Sequence, residues 1–214
     1  MKTMKKILPW ALALGMSNVV FAADFHPPMR GAPDLRVGGG SRAVTMQIAK
    51  INLYAPKSAG MTLTESPVLY WHLSKALSVP VEIQLLATGS DKPVLTVSMS
   101  TVAAGVHKFN LAEYGVKLQT AVEYRWQTTI IWDAALRTKD TVSSASIQYT
   151  LPASNTVTSS SRPRELVEQG FVYDGIAAIS AQIEANPSNA ALREERAALL
   201  EQIGQTEAAK ADRK

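Results

Sequence analysis

The chain has 214 residues, 22 Lys and Arg against 18 Asp and Glu, a sequence pI near 9.3 and no cysteine. The lack of thiols excludes disulfides, thiolate metal sites and cysteine nucleophiles. Lys2, Lys5 and Lys6 sit in a leader; removing those three leaves 19 basic residues against 18 acidic ones. The high pI therefore gives no reason to expect nucleic acid or an anionic membrane as partner.

The leader itself is legible. The three lysines precede an apolar run from Ile7 to Val20, and Val20-Phe21-Ala22 ends it with small residues where a signal peptidase reads. This is the pattern of a secretory signal peptide over residues 1–22, with cleavage after Ala22 and a mature N-terminus at Ala23. The run is too short to span a bilayer comfortably, and Pro9 and Asn18 interrupt it, so no integral membrane segment is expected after cleavage. The expected location is periplasmic or secreted. Residues 23–43 follow as a Pro/Gly-rich arm carrying Pro27, Pro28, Gly31, Pro33 and Gly38-Gly39-Gly40. It has no apolar periodicity with which to bury a core. A glycine loop that cradles phosphate needs a strand before it and a helix after it, and this one has neither.

Residues 44–151 read as a string of short strands. Met46, Ile48, Ile51 and Leu53 mark the first, and 66–74 places Leu69, Trp71 and Leu73 on one face. Val81, Ile83 and Leu85 follow, then Leu95, Val97 and Met99, then His107, Phe109 and Leu111. The centre of the pattern is 118–132. Val122, Tyr124, Trp126, Ile130 and Trp132 alternate with polar neighbours, the two-residue period of a strand with one wet face. Leu118, six residues before Tyr124, gives the spacing of a tyrosine corner. A last strand, Val142 to Leu151, is rich in Ser and Thr and reads as a sheet edge. Strands at this spacing without intervening helices predict an immunoglobulin- or fibronectin-like antiparallel β-sandwich. Trp71, Tyr124, Trp126 and Trp132 are its expected core, with Trp71 and Trp126 meeting between the sheets.

Residues 152–163 form a Ser/Thr/Pro linker, and 164–214 change to a helical period. Val172, Ile176, Ile179 and Ile183 make one apolar stripe; Leu192, Leu199 and Ile203 make a second beyond Asn186-Pro187-Ser188. An α-helical hairpin is expected. Leu166 and Leu200, Gly170 and Gly204, and Gly175 and Ala209 each stand 34 residues apart, the tetratricopeptide period. An ordinary helical hairpin fits the same residues. The linker implies a tail that moves independently of the sandwich, so its stripes are the candidate partner-binding surface.

Chemistry is sparse. His26, His72 and His107 have no ligand-spaced neighbours, and no GxSxG, HExxH or Walker sequence occurs. No cofactor, no metal and no enzyme activity are expected. Tyr70, His72, Arg125 and Gln127 have the composition of an exposed binding patch.

Three segments together resemble the bacterial family known as domain of unknown function 928. They are Gly31-Ala32-Pro33 with Arg36 and Gly38 to Arg42, then Leu63 to Pro67 with the strand through Trp71, then Glu123-Tyr124-Arg125-Trp126. The resemblance implies an exported protein with no assigned activity and no catalytic residues to carry over. It also implies that Val44 and Trp132 stand where many relatives carry cysteines, and hence that the two lie close together. The functional expectation is a non-enzymatic binding or adaptor protein whose partner is another envelope protein, with no nucleic acid partner and homo-oligomers possible. The alternative is carbohydrate or cell-wall glycan binding by the sandwich face.

Overall fold

The computed structural model describes residues 49–152, 157–158 and 160–213. Expectations for the leader, the glycine-rich arm, Val44 and its pairing with Trp132 lie outside these residues.

The strands are β1 (Ile51–Leu53), β2 (Gly60–Thr62), β3 (Val68–Leu73), β4 (Val81–Ala87), β5 (Leu95–Met99), β6 (Gly105–Asn110), β7 (Glu123–Ile130) and β8 (Thr141–Tyr149). The helices are α1 (Pro163–Glu168), α2 (Val172–Ala185), α3 (Ala190–Gln202) and α4 (Thr206–Asp212). The chain is mainly β. One sheet has the order β1-β3-β6 and the other β2-β8-β7-β4-β5; every pairing is antiparallel except the parallel β2–β8 pair.

Alternation places the core. Leu69, Trp71 and Leu73 of β3 join Val81, Ile83 and Leu85 of β4, Tyr124, Trp126 and Ile130 of β7, and Ile147 of β8 in one cluster. Trp71 is 1% and Trp126 0% exposed. The Tyr124 hydroxyl accepts a hydrogen bond from Gln119 N–H at 3.2 Å.

Trp132 departs from expectation. It is 37% exposed and lies beyond the last bond of the β4–β7 ladder, Ile131 N–H to Pro80 O at 2.9 Å. Once the ladder is left, the two-residue period no longer fixes which way a side chain points. The edge assignment for the last strand holds only in part. β7 covers one side of β8, and on the other side the three-residue β2 pairs with Ile147 to Tyr149.

The largest correction concerns the tail. It has four helices rather than a hairpin, and it packs on the sandwich. Alternation along β3 sends Val68 and Tyr70 to the face opposite Trp71. There Tyr70 and Tyr54 join Val167, Val172, Ile176, Ile179, Leu199 and Leu200 in a second cluster. β3 is therefore covered on both faces, while Val106 and Lys108 of β6 stay exposed. Linker composition describes only the linker; the apolar stripes decide docking, and they find their cover on the same chain.

Tyr173 fastens this layer. Its hydroxyl accepts from Trp126 Nε1–H at 3.0 Å and donates to Ser146 O at 2.9 Å. Beside it, Asp174 accepts from Leu63 N–H at 2.9 Å and from the hydroxyls of Thr62 and Thr64 at 3.3 and 3.2 Å. Burial raises the Asp174 carboxyl above its ordinary range, partly offset by these bonds. Gly60 is what lets the helix approach: a Cβ there would stand 2.7 Å from the Tyr173 ring.

The 34-residue echo is present in the backbone. Phe171 N–H bonds Leu166 O at 2.8 Å, and Gln205 N–H bonds Leu200 O at 2.8 Å. Gly170 and Gly204 hold φ of 87° and 80° in the two matching turns, a conformation that glycine adopts without steric cost.

Trp126→Ala is expected to lower unfolding stability by about 3–5 kcal/mol through lost burial and a cavity. Tyr173→Phe, which orphans a buried indole N–H and a carbonyl, is expected to cost about 1–3 kcal/mol. Chemical denaturation midpoints measure both, and a Tyr173→Phe midpoint equal to wild type would remove the relay from the account. Deleting everything after Pro163 uncovers Tyr54 and Tyr70 and is expected to yield aggregated protein. Gel filtration showing a cooperatively melting monomer would show the helical layer to be dispensable.

Candidate functional site

A cleft of about 320 Å³ opens between β6 and helices α2 and α3. Tyr70, Val106, His107 and Lys108 line one wall, and Ser180, Ile183, Glu184 and Arg196 the other. Among the described residues β6 is an outer strand, hydrogen-bonded within its sheet to β3 alone, so they leave an open strand edge beside the cleft.

The floor is a fixed polar network. The Arg196 side chain is only 6% exposed and the Asp212 side chain 2%. Arg196 Nε donates to Asp212 Oδ2 at 2.7 Å, Nη2 donates to Oδ1, and Nη1 donates to Ser180 Oγ at 2.9 Å. The guanidinium lies 5.5 Å from the centre of the Tyr54 ring, whose hydroxyl donates to Asp212 Oδ1 at 3.4 Å. Burial alone would push Arg196 toward its neutral form, but the bonds to Asp212 outweigh it and raise the group further. Burial, with Asp212 adding to it, pushes the Tyr54 phenol well above its ordinary value.

The mouth is a second, wetter network. Lys108 Nζ donates to Glu184 Oε2 at 2.8 Å, and the Tyr70 hydroxyl donates to Glu184 Oε1 at 3.3 Å. Tyr70 is pushed up to about 12, first by burial and then by Glu184. It stays protonated across the physiological range and acts as a donor. Ser180 is engaged by Arg196, and His107 Nε2 lies 2.8 Å from Ala103 O. The cleft thus offers hydrogen bonds, two balanced ion pairs and the apolar side chains of Val106 and Ile183. Among the described residues, no group of three or more His, Asp or Glu is placed to hold a metal ion. No helix there is long and apolar enough to cross a membrane.

The residues singled out from the sequence are distributed differently. Val172, Ile176, Ile179 and Leu199 are 5%, 1%, 0% and 1% exposed beneath the helical layer. Ile183, Leu192 and Ile203 are partly buried against the same cluster. A separate protein has no access to most of these stripes, and only Ile183 reaches the cleft. Tyr70, His72, Arg125 and Gln127 do not form one patch, because the first two belong to β3 and the others to β7 in the opposite sheet. Tyr70 faces the helices, and Gln127 Nε2 donates to Gln84 Oε1 at 2.8 Å.

Sequence reasoning passed over Ser180, Arg196 and Asp212. A signal existed: Leu192, Arg196, Leu199 and Ile203 fall at i, i+4, i+7 and i+11, so Arg196 occupies the vacant position of an apolar stripe. A charge there is buried, and a buried charge requires a partner.

A family model described as "Domain of Unknown Function (DUF928)" matches residues 37–213, spanning both sheets and the helices. The chain belongs to that family. No curated protein matches the sequence. Membership in the domain of unknown function 928 family assigns no activity, so the cleft is interpreted from its own chemistry.

Asp212→Ala is expected to destabilise the fold by about 3–5 kcal/mol, because it strands the Arg196 charge in the interior. The double change Arg196→Met with Asp212→Leu is expected to recover most of that loss. Urea denaturation of wild type, Asp212→Ala and the double variant checks this. A double variant as unstable as Asp212→Ala would show that these side chains stabilise the fold by more than neutralising each other.

Proposed function

We propose that this member of the family is an exported, non-enzymatic binding or adaptor protein that receives another envelope protein at the β6 cleft. The observation that supports this most is the combination at β6: an open strand edge, Val106 38% exposed, and a cleft whose charges are already held in place. An open edge gives an extended partner segment main-chain hydrogen bonds, and a neighbouring cleft gives it side-chain selectivity. Networks ordered before binding lower the entropic cost of association. The leader sequence supports the envelope as the compartment.

We infer two finer points of architecture. The hydrogen bond between Gln119 and Tyr124 and the two facing sheets favour an immunoglobulin-like sandwich; the parallel β2 is an addition to that plan. The matched turns at Gly170 and Gly204 favour a tetratricopeptide-like origin for the helical layer. Here such a unit covers a sheet instead of stacking into an array, and the sheet buries the face that a neighbouring repeat would bury in an array.

The test is site-specific photo-crosslinking in whole cells. A photoreactive residue at Val106 is expected to give one discrete adduct with another envelope protein, and one at the exposed Thr96 on β5 is expected to give none. Lys108→Glu should weaken the Val106 adduct several-fold. Identical adducts at both positions, or an adduct only between two copies of this chain, would overturn the adaptor reading.

A further inference from the structure

At the far end of the five-stranded sheet, the chain from 131 to 140 folds over the sheet's outer face. Thr129 on that face is 3% exposed, and Arg137 reaches both Asp140 and, at 3.7 Å, Glu82 of β4. Trp132 stands in this loop at 37% exposure, while Trp71 and Trp126 are buried. Its Nε1–H donates to Thr141 Oγ1 at 2.9 Å. The indole has no other polar group, so what it offers to the outside is ring surface. The Asp140 side chain is only 6% exposed; Oδ2 accepts from Arg137 Nε, while Oδ1 is buried with no hydrogen-bond partner. An unpaired buried carboxylate oxygen costs free energy that a donor reaching it would recover.

We propose that Trp132, Asp140 and Arg137 form a binding subsite for a pyranose unit of a polysaccharide. The electron-rich indole face attracts the slightly positive C–H groups on one side of a sugar ring. Displacing the half-exposed Arg137 side chain opens Asp140, whose Oδ1 has no hydrogen-bond partner among the described residues, to a sugar hydroxyl. The Nη atoms of Arg137 donate to further ring oxygens. Local charge disfavours the rival surface, an anionic lipid bilayer: Glu82, Asp133 and Asp140 outnumber Arg137 and Lys139. The site lies on a loop, away from the β6 cleft and off the flat sheet face, and it is independent of the adaptor reading.

The experiment uses the mature full-length protein and acrylamide quenching of tryptophan fluorescence. Because Trp71 and Trp126 are buried, the quenchable signal belongs to Trp132. The probes are chitohexaose for N-acetylated glycans, cellohexaose for unacetylated ones, and vesicles with a quarter anionic phospholipid. One or both hexasaccharides are expected to shield Trp132, and which one does so distinguishes cell-wall glycan from neutral glucan. Isothermal titration should show affinity falling about tenfold or more in Trp132→Ala, equivalent to about 1.4 kcal/mol, and largely kept in Trp132→Phe. Asp140→Asn should weaken binding without abolishing the shielding. Failure of both sugars to shield Trp132, shielding by vesicles instead, or undiminished binding by Trp132→Ala would each overturn the proposal. None of these outcomes touches the crosslinks expected at Val106.

Discussion

One buried relay, Trp126 to Tyr173 to the Ser146 carbonyl, holds the three layers in register. Trp126 is at the centre of β7, between Leu85 of β4 and Ala145 of β8. Its indole N–H has no water to turn to, and the Tyr173 hydroxyl is the group that reaches it. That same hydroxyl satisfies a carbonyl of β8 in the stretch that β2 does not cover. A sheet edge that would otherwise need solvent is thus closed by a helix. Because Tyr173 and Asp174 are consecutive, a single turn of α2 bonds β7, β8 and the segment after β2. The position of α2 then fixes the wall of the β6 cleft that carries Ser180, Ile183 and Glu184.

The buried Arg196–Asp212 pair plays a different part. Ion pairs taken out of water contribute little net stability, since desolvation offsets most of the attraction. What this one contributes is registration: only one placement of α4 brings Asp212 to Arg196 and to the Tyr54 hydroxyl together. The cleft floor inherits that definition. The mouth, with Lys108 and Glu184 about half exposed, is the part that salt and partners can rearrange.

Period-two alternation revealed most of the β layers, and β4 begins and ends where Val81 to Ala87 alternate. It revealed Trp71, Tyr124 and Trp126 as core for the same reason. It failed at Trp132 because periodicity carries no information past the last ladder bond. It missed β2, whose three residues are too few to show a period and which pairs in parallel with a strand far along the chain. The helical stripes were legible, but their cover was not. A stripe shows that a face is buried without showing against what; alternation put Tyr70 on the outer face of its strand, but nothing in the sequence showed that helices cover it or that Tyr54 joins it there. The candidate site was the least legible part: the stripe marks Arg196 as a buried charge, but its partner Asp212 lies 16 residues away and resembles an ordinary helix-surface charge.

The hydrogen bond from Tyr54 to Asp212 joins positions 158 residues apart, and it has a consequence for when the protein becomes itself. Synthesis delivers a chain from its N-terminus. By the time β1 and β3 are available, the helices that must roof their outer face have not yet emerged. The small sheet therefore waits, one side uncovered, until α4 has been made. Long-range closure of this kind is slow compared with helix formation, and it leaves sticky intermediates exposed in the meantime. A chain that cannot cover its smaller sheet without α4 stays pliable until that helix has been made.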